Sequence, residues 1–311
     1  MALSSRTERA PVAAARPPKW RIWMLAARPQ TLPAAIVPVL VGTAAAYAGG
    51  AWRPAAAAAA LVSALFLQIG TNIANDLFDF QRGADTAERT GPVRVTQAGL
   101  LTPAEVRRGM WLSFALAFAV GLYLVYVGGW PILAIGLASI ACGLWYTAGP
   151  YPLAYHGLGD VFAFVFFGIV AVNGTYFVHT GSLAPVAFWA SLPVAALVTA
   201  ILVVNNYRDL ETDRRANKRT LAVRLGRRAT QVQYLLLLVT AYLVPAYLWL
   251  VQGYAWGWLP LCSAPLAARL WSRFVAGHGA ALNPVLKGTG KLHLVHGVLI
   301  ALSFVAGAPR G

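Results

Sequence analysis

Long apolar runs, separated by short polar connections, recur along the whole of this sequence. Nine of them approach the roughly 20 residues that a helix needs to cross the hydrocarbon core of a bilayer. These runs lie at 32–50, 55–79, 111–127, 131–148, 160–180, 186–207, 231–251, 257–272 and 291–308. The pattern predicts an all-α, polytopic membrane protein with about nine transmembrane helices, bundled around a central cavity that is open to lipid.

Composition and charge agree with a membrane protein. Of the 311 residues, 59% are hydrophobic and 11% are charged, a balance far from that of a soluble domain. Alternate connections hold 23 of the 25 lysines and arginines, and only Arg53 and Arg310 lie on the other side. The positive-inside rule then places the N-terminus in the cytoplasm and the C-terminus outside. Topology accounts for the net charge of +15, so no nucleic-acid partner is predicted.

The first 27 residues precede the apolar runs. They are rich in Pro and Arg and lack the apolar core of a secretory signal. We expect residues 1–27 to be a disordered cytoplasmic tail, with a targeting segment as the alternative. The transmembrane domain is then expected to occupy residues 28–311.

Polar side chains form a stripe at the end of the second apolar run. Most members follow one another at intervals of three or four, so on a helix they share one face. They are Gln68, Asn72, Asn75, Asp76 and Asp79. An aspartate in hydrocarbon costs about 2.5–3.5 kcal/mol even on a lenient scale, so the stripe needs water, a metal ion or cationic partners. It predicts a helix face that borders a polar cavity; a solvated, acidic helix end is the alternative.

A second stretch repeats this arrangement. Asn205, Asp209 and Asp213 are four residues apart at the end of another run directed to the cytoplasm, and Asn206 adjoins them. Together, the segments 72–88 and 205–226 hold seven of the ten acidic residues of the chain. The repetition disfavours the solvated-end interpretation. We therefore expect two carboxylate clusters that face one cavity.

The connection after the fourth run reads YTAGPYPLAYHGLGD, residues 146–160. Its Gly and Pro residues cannot continue a helix, which predicts a loop on the same side as the acidic clusters. Hydrogen-bonding groups and aromatic faces are supplied there by Tyr146, Tyr151, Tyr155, His156 and Asp160. The residues alone leave two interpretations, a cap over a substrate site or a tight turn anchored by interfacial tyrosines.

Basic residues accompany both acidic clusters: Arg94 follows the first, and Arg208, Lys218 and Arg219 border the second. Carboxylates and cations around one cavity suit a magnesium diphosphate. Mg²⁺ takes a few carboxylates together with phosphate oxygens, and Arg and Lys bind the remaining phosphate oxygens. A diphosphate at the mouth of an apolar, lipid-open cavity implies an attached lipid tail.

Two segments resemble the aspartate-rich motifs of the UbiA superfamily of intramembrane prenyltransferases. They are NDLFDFQRGADTAERTGPVRVTQAGLLTP at 75–103 and NNYRDLETDRRANKRTLAVRLG at 205–226. The resemblance runs from about Arg28 to the C-terminus. Together with the segment at 146–180, it is greatest to the members that prenylate 1,4-dihydroxy-2-naphthoate in menaquinone biosynthesis.

The resemblance implies an activity and a set of site residues. The expected enzyme transfers a polyprenyl group from an allylic polyprenyl diphosphate to 1,4-dihydroxy-2-naphthoate, with loss of CO₂ and diphosphate, to give demethylmenaquinone in a bacterial plasma membrane. Asp76 and Asp79 are expected to hold one Mg²⁺, and Asp209 and Asp213 a second; Asp85 either ligates as well or pairs with an arginine. The expected substrate-binding residues are Asn72, Asn75, Arg94, Tyr146, Tyr151, Tyr155, His156, Asn205, Asn206, Arg208, Lys218 and Arg219.

Other functions compete with this interpretation. A related enzyme with homogentisate, 4-hydroxybenzoate or a tetrapyrrole as acceptor would share the same motifs. A cation-coupled transporter also has buried acids, but its site is expected near the bilayer midplane, whereas these acids lie at helix ends. A CDP-alcohol phosphotransferase uses one continuous aspartate motif, which this sequence lacks.

Overall fold

The computed structural model describes residues 17–84 and 91–308, and its regular secondary structure there is entirely helical. The α-helices are α1 (Lys19–Ala27), α2 (Pro33–Ala48), α3 (Pro54–Gln81), α4 (Pro103–Gly128), α5 (Trp130–Trp145), α6 (Gly159–Phe162), α7 (Ala171–Thr180), α8 (Pro185–Arg208), α9 (Leu210–Arg215), α10 (Leu221–Leu250), α11 (Ala264–Ala276) and α12 (Asn283–Ala306). A π-helical stretch, Ala163–Val170, joins α6 and α7 into one continuous helix. The prediction of an all-α fold is confirmed.

The number of membrane spans differs from the predicted nine. Six helices are long and apolar enough to cross a bilayer, and the bent pair Lys19–Thr31 and Pro33–Ala48 raises the number to seven. Helix α5 has 16 residues and α11 has 13, which at 1.5 Å per residue is less than the roughly 30 Å of the hydrocarbon core. The chain is an integral membrane protein, but a count of nine spans is not confirmed for its described residues.

Helix α1 corrects the predicted boundary of the N-terminal tail. Residues 1–16 lie outside the described part of the chain, but Lys19–Ala27 is helical and packs on α3. Ile22 and Ala26 are each 1% exposed, in a cluster that also holds Ile73 and Leu77. Burial of these apolar side chains stabilises the helix, so the ordered domain begins before Arg28.

Small residues allow the central helices to approach closely, as is common between helices in membranes. A methyl group on Gly168, in the π-helical stretch, would overlap the Cβ of Ala195 in α8. A methyl group on Gly42 in α2 would meet Thr175 of α7 at 2.9 Å. Helix α8, which Gly168 allows to come close, lies in the middle of the bundle with most of its apolar side chains buried.

The chain reversals place the polar motifs at one end of the bundle, which we call the polar end. Arg208 at the end of α8 donates a hydrogen bond of 3.0 Å to Asn283 at the start of α12. The guanidinium Nη1 of Arg227, near the start of α10, lies 3.1 Å from the ring Nδ1 of His278, just after α11. Since α12 begins at the polar end, its last residue, Ala306, lies at the opposite end.

An apolar cavity of about 150 Å³ lies between α3, α4, α5 and the continuous helix Gly159–Thr180. Leu67, Phe166 and Val178 contribute to its walls. Phe118 and Leu137 also line it and are 40% and 51% exposed, so the cavity reaches the lateral surface of the bundle.

The contact at Gly168 predicts a stability difference between two glycines in helices. Gly168→Ala should destabilise the fold by about 1–3 kcal/mol, because the new methyl group overpacks against Ala195. Gly136→Ala in α5 is the matched control, since nothing lies within 4 Å of its added Cβ. Thermal unfolding of both variants in detergent measures the difference. Equal melting temperatures would contradict this packing.

Candidate active site

Asp79, in the last turn of α3, is the centre of a buried polar cluster. Its side chain is 2% exposed. One carboxylate oxygen accepts a hydrogen bond of 2.9 Å from the Tyr155 hydroxyl, and the other lies 3.0 Å from the guanidinium of Arg94. The ammonium of Lys218 is 4.0 Å from that second oxygen. Three segments distant in sequence therefore meet at this carboxylate.

Asp76, one turn earlier on α3, fixes the following loop to the helix. Its carboxylate accepts hydrogen bonds of 3.0 Å from the backbone N–H groups of Val95 and Thr96, and a further one from the Thr96 hydroxyl. A carboxylate has about four lone-pair positions, so one remains. By holding Val95 and Thr96, Asp76 positions Arg94, the residue directly before Val95. The role of Asp76 as a metal ligand stays a prediction.

The second acidic segment reaches the first through Lys218. Its backbone N–H donates 2.8 Å to the carbonyl of Asp213, and the preceding residue, Asn217, has a left-handed φ of 53°, a conformation that Asn tolerates better than most residues. This turn brings the Lys218 ammonium 3.9 Å from the Asp213 carboxylate. The carboxylates of Asp79 and Asp213, 134 positions apart, thus share one cation.

Asp209 and Arg208 form a second buried pair at the end of α8. The guanidinium of Arg208 donates two hydrogen bonds to Asp209, at 2.8 and 2.6 Å. It also donates to the side-chain oxygens of Asn205, at 2.9 Å, and Asn283, at 3.0 Å. Arg208 is therefore held in one orientation by three neighbours, and its buried charge is compensated.

The loop after α5 covers the cluster. Arg82 donates 3.1 Å to the carbonyl of Thr147 and also bonds the carbonyl of Gly149. The ring of Tyr155, in the 3₁₀ turn Leu153–His156, has Arg82 at 5.3 Å and Lys218 at 5.4 Å from its centroid. These cation–π contacts and the bond to Asp79 hold Tyr155 against the acids, which favours the cap interpretation over a simple turn.

Some predicted side chains lie farther from the acids. Tyr151 is 58% exposed and stacks on His156 with ring centroids 3.5 Å apart, on the outer face of the loop. Arg219 is exposed and contacts the cluster through its backbone, whose N–H donates 3.1 Å to the carbonyl of Tyr155. Asp85 lies outside the described residues. The described structure does not bring the side chains of Tyr151 and Arg219 into the buried cluster.

The predicted asparagines orient their surroundings. Asn72 donates to the carbonyl of Ala27 at 2.9 Å and to the Thr31 hydroxyl at 2.8 Å. Asn75 accepts 3.0 Å from the Thr147 hydroxyl. These bonds tie α3 to the segment after α1 and to the loop after α5.

Sequence reasoning missed two contributors, Arg82 and Gln233. In the sequence Arg82 is one of many cations predicted to be cytoplasmic, and only its contact with the loop at 147–149 reveals its role. Asp160 is buried beside Asn206, which donates 3.1 Å to it, and Gln233, which donates 2.7 Å. The sequence placed Asp160 among the polar groups of the loop at 146–160, without its partners Asn206 and Gln233.

Tyr146, which follows the last residue of α5, is close enough to three acids to be affected by their charge. Burial raises the pKa of its phenol far above the usual range, and the carboxylates of Asp160, Asp79 and Asp213 add to this effect in that order. The hydroxyl therefore keeps its proton near neutral pH and can donate a hydrogen bond.

The donor set fits a magnesium ion. Carboxylate oxygens are the protein ligands that Mg²⁺ prefers, and the ammonium of Lys218 shows that positive charge is stabilised between Asp79 and Asp213. Within residues 17–84 and 91–308, no three acidic, His or Cys side chains converge as a ready-formed metal site. A bound ion would thus compete with Lys218 and Arg208 for the carboxylates and leave these cations beside them for phosphate.

Known proteins resemble this chain along most of its length. It is 41% identical to 1,4-dihydroxy-2-naphthoate octaprenyltransferase of Mycobacterium tuberculosis over 284 residues, which cover 90% of this chain and 95% of the relative. It is 36% identical to the Escherichia coli protein of the same name over 289 residues, covering 90% and 94%.

The fold also matches a solved UbiA homologue from Archaeoglobus fulgidus, described as bound to GPP and Mg²⁺. The TM-score is 0.61 at 15% identity, and the match covers 92% of this chain and 99% of the other. Residues 35–281 match the family described as the UbiA prenyltransferase family. This chain therefore belongs to the UbiA prenyltransferase family.

Proposed function

We propose that this protein transfers a polyprenyl group from an allylic polyprenyl diphosphate to 1,4-dihydroxy-2-naphthoate, with loss of CO₂ and diphosphate, in menaquinone biosynthesis. The observation that carries the proposal is the meeting of both acidic segments at Lys218, under the Tyr155 cap. Support for the acceptor comes from relatives that carry this activity in their names and align over about 90% of the chain.

The polar end is suited to a diphosphate. Arg94 and Lys218 already lie beside carboxylates, and a Mg²⁺ ion bound to these acids would free both cations to contact phosphate oxygens. Arg208 is less able to move, because it is bonded to three side chains. The apolar cavity between α3, α4 and α5 is the candidate site for the first isoprene units of the tail.

We assign the metal ligands to Asp76, Asp79, Asp209 and Asp213, in two Mg²⁺ sites. When bound, Mg²⁺ supplies positive charge that stabilises a departing diphosphate. The protein supplies the rest: Arg94 and Lys218 stabilise charge on the leaving group, Tyr155 covers the site, and the buried surroundings exclude water from the allylic cation until a ring carbon of the acceptor captures it.

The test of the proposed function is an assay of purified protein with 1,4-dihydroxy-2-naphthoate and polyprenyl diphosphates of several lengths, with and without Mg²⁺. We expect a prenylated, decarboxylated product that requires Mg²⁺. Transfer to homogentisate or 4-hydroxybenzoate but not to the naphthoate would retain the reaction class and overturn the acceptor. No transfer to any aromatic acceptor, with cation-dependent uptake into vesicles, would favour a transporter.

The acid cluster predicts unequal effects of two neighbouring substitutions. Asp213→Asn should lower turnover by roughly 100-fold or more, as expected when an electrostatic stabiliser of a transition state is lost. Glu211→Gln is the control: this exposed acid pairs with Arg214 and Arg227 on the surface, and its loss should change rates by about threefold or less. Initial rates of folded, purified variants decide. Similar rates for both would remove Asp213 from the site.

Two adjacent cations give a second comparison. Lys218→Ala should raise the KM for the prenyl diphosphate by about 10- to 100-fold, since a hydrogen bond to a charged group contributes roughly 1.5–3 kcal/mol. Arg219→Ala should change it by about threefold or less, because its side chain is exposed. Kinetics with both substrates varied make the measurement. A loss confined to the naphthoate, or equal effects at both positions, would contradict the assignment.

We also propose that the polar end faces the cytoplasm. The charge distribution along the sequence supports this orientation, because the connections predicted to be cytoplasmic hold 23 of the 25 basic residues. A periplasm-active reporter fused to the C-terminus should be active, and a reporter that folds only in the cytoplasm should not. The reverse result would invert the orientation.

A further inference from the structure

Asp160 differs in its partners from Asp79, Asp209 and Asp213; like Asp76, it is bonded only by neutral donors. It lies at the start of α6, is 4% exposed, and accepts hydrogen bonds from two neutral amides, those of Asn206 and Gln233. Asp79, Asp209 and Asp213 each lie within 4.0 Å of a lysine or arginine. No lysine or arginine forms an ion pair with Asp160 in the described part of the chain. No cation of that part is therefore in place to compensate a negative charge on Asp160.

This corner of the site has more hydrogen-bond acceptors than donors. A carboxylate offers about four lone-pair positions, and the two amides use two of them. The side-chain oxygen of Gln233 is also buried and has no hydrogen-bond partner. Its orientation is fixed, because its amide nitrogen donates 2.7 Å to Asp160. Buried acceptors are normally satisfied, so this corner is suited to a ligand that brings O–H or N–H donors.

The corner adjoins the candidate active site. A methyl group on Gly159 would lie 3.1 Å from the Tyr146 hydroxyl, so Tyr146 packs directly beside Asp160. The phenol of Tyr146 also senses the charges of Asp79 and Asp213. Tyr146 thus adjoins the acceptor-rich corner and lies within electrostatic range of Asp79 and Asp213.

The chemistry of the corner excludes one of the two substrates. A diphosphate carries negative charge and only acceptor oxygens when ionised, so an uncompensated carboxylate beside an amide oxygen repels it. A hydroxylated aromatic ring brings O–H donors and a flat apolar body. Its own carboxylate would be turned away from Asp160 by like charge, toward the basic side chains.

We infer that Asp160 and Gln233 bind the ring hydroxyls of the aromatic acceptor, with the ring of Tyr146 alongside. This inference rests on the proposed function, because it assumes a hydroxylated aromatic substrate. A hydrogen bond from a ring hydroxyl to an ionised carboxylate increases the electron density of the ring. It would therefore both orient the acceptor and favour attack by a ring carbon on the allylic cation, with no proton transfer required for binding.

The test compares acceptors as well as variants. Wild-type protein should use 1,4-dihydroxy-2-naphthoate at least about tenfold better, in kcat/KM, than 1-hydroxy-2-naphthoate, which lacks one donor. Asp160→Asn should raise the KM of the dihydroxy acceptor by about 10- to 100-fold and lose most of this discrimination, while the KM of the prenyl diphosphate stays within about threefold. A residue that only braced the helices would affect both acceptors equally.

Gln233→Ala keeps Asp160 and Asn206 and serves as the second variant if Asp160→Asn does not fold. Its matched control is Gln231→Ala, on the same helix, whose amide instead donates to the Tyr207 hydroxyl at 3.0 Å. We expect Gln233→Ala, but not Gln231→Ala, to reduce the discrimination. The inference would be overturned if the Asp160 and Gln233 variants still distinguished the two acceptors as well as wild-type protein does. It would also be overturned if the KM of the prenyl diphosphate rose as much as the KM of the acceptor.

The wild-type assay separates this outcome from failure of the proposed function. If wild-type protein prenylates a different hydroxylated ring, the same comparison is made with that acceptor and its analogue lacking the hydroxyl. If wild-type protein prenylates no hydroxylated ring, the proposed function fails and the inference fails with it. If only the variants behave unexpectedly, the function stands and the assignment of Asp160 falls.

Discussion

The burial of the Asp79 carboxylate is the constraint on which the polar end of this bundle depends. A charge removed from water must be paired and hydrogen-bonded, or the fold cannot retain it. Asp79 meets this requirement with Tyr155, Arg94 and Lys218. Each comes from a different connection between helices, so satisfying one carboxylate also determines where three loops lie.

The same arrangement prepares the site for an anionic ligand. In this structure cations lie beside the carboxylates of Asp79, Asp209 and Asp213, which reduces the repulsion between them. Lys218 contacts both Asp79 and Asp213, so a divalent ion that took its place would leave an ammonium group next to the newly bound charge. Exchange of partners costs less than creation of a new buried charge. A bundle end of this kind can be stable without ligand and still bind a metal diphosphate.

Much of the site was predictable because helical periodicity is a local property. The spacing of Asp76 and Asp79, and of Asp209 and Asp213, follows from 3.6 residues per turn, and the apolar runs around them identify a membrane protein. The hydrogen-bond partners of these side chains, by contrast, come from distant parts of the sequence. Nothing in the sequence near Asp76 shows that it accepts the backbone N–H groups of Val95 and Thr96, because this depends on the path of a loop.

Errors in the predicted fold have similar causes. Helix α1 is short and its flanks are rich in Pro and Arg, so composition indicated a tail, whereas burial of Ile22 and Ala26 on α3 stabilises it. The run at 257–272 is mostly apolar, but its first helical element is a 3₁₀ turn, Leu259–Ser263, which is followed by a helix of only 13 residues. Hydropathy reports the environment of a segment and does not reveal where a helix starts.

The contrast between Asp79 and Asp160 shows how the partners of a carboxylate determine what it can bind. Both are buried, and only about 80 residues of α-helix and loop separate them in sequence. Asp79 is surrounded by cations and a phenol, so exchange of a cation for a metal leaves its charge compensated. Asp160 is surrounded by amides that lend no charge, and a neutral O–H donor satisfies it without a counter-ion. Under the proposed assignments, the polar end would hold a metal-bound anion beside Asp79 and a hydroxylated ring beside Asp160, because the partners of each acid select a different ligand.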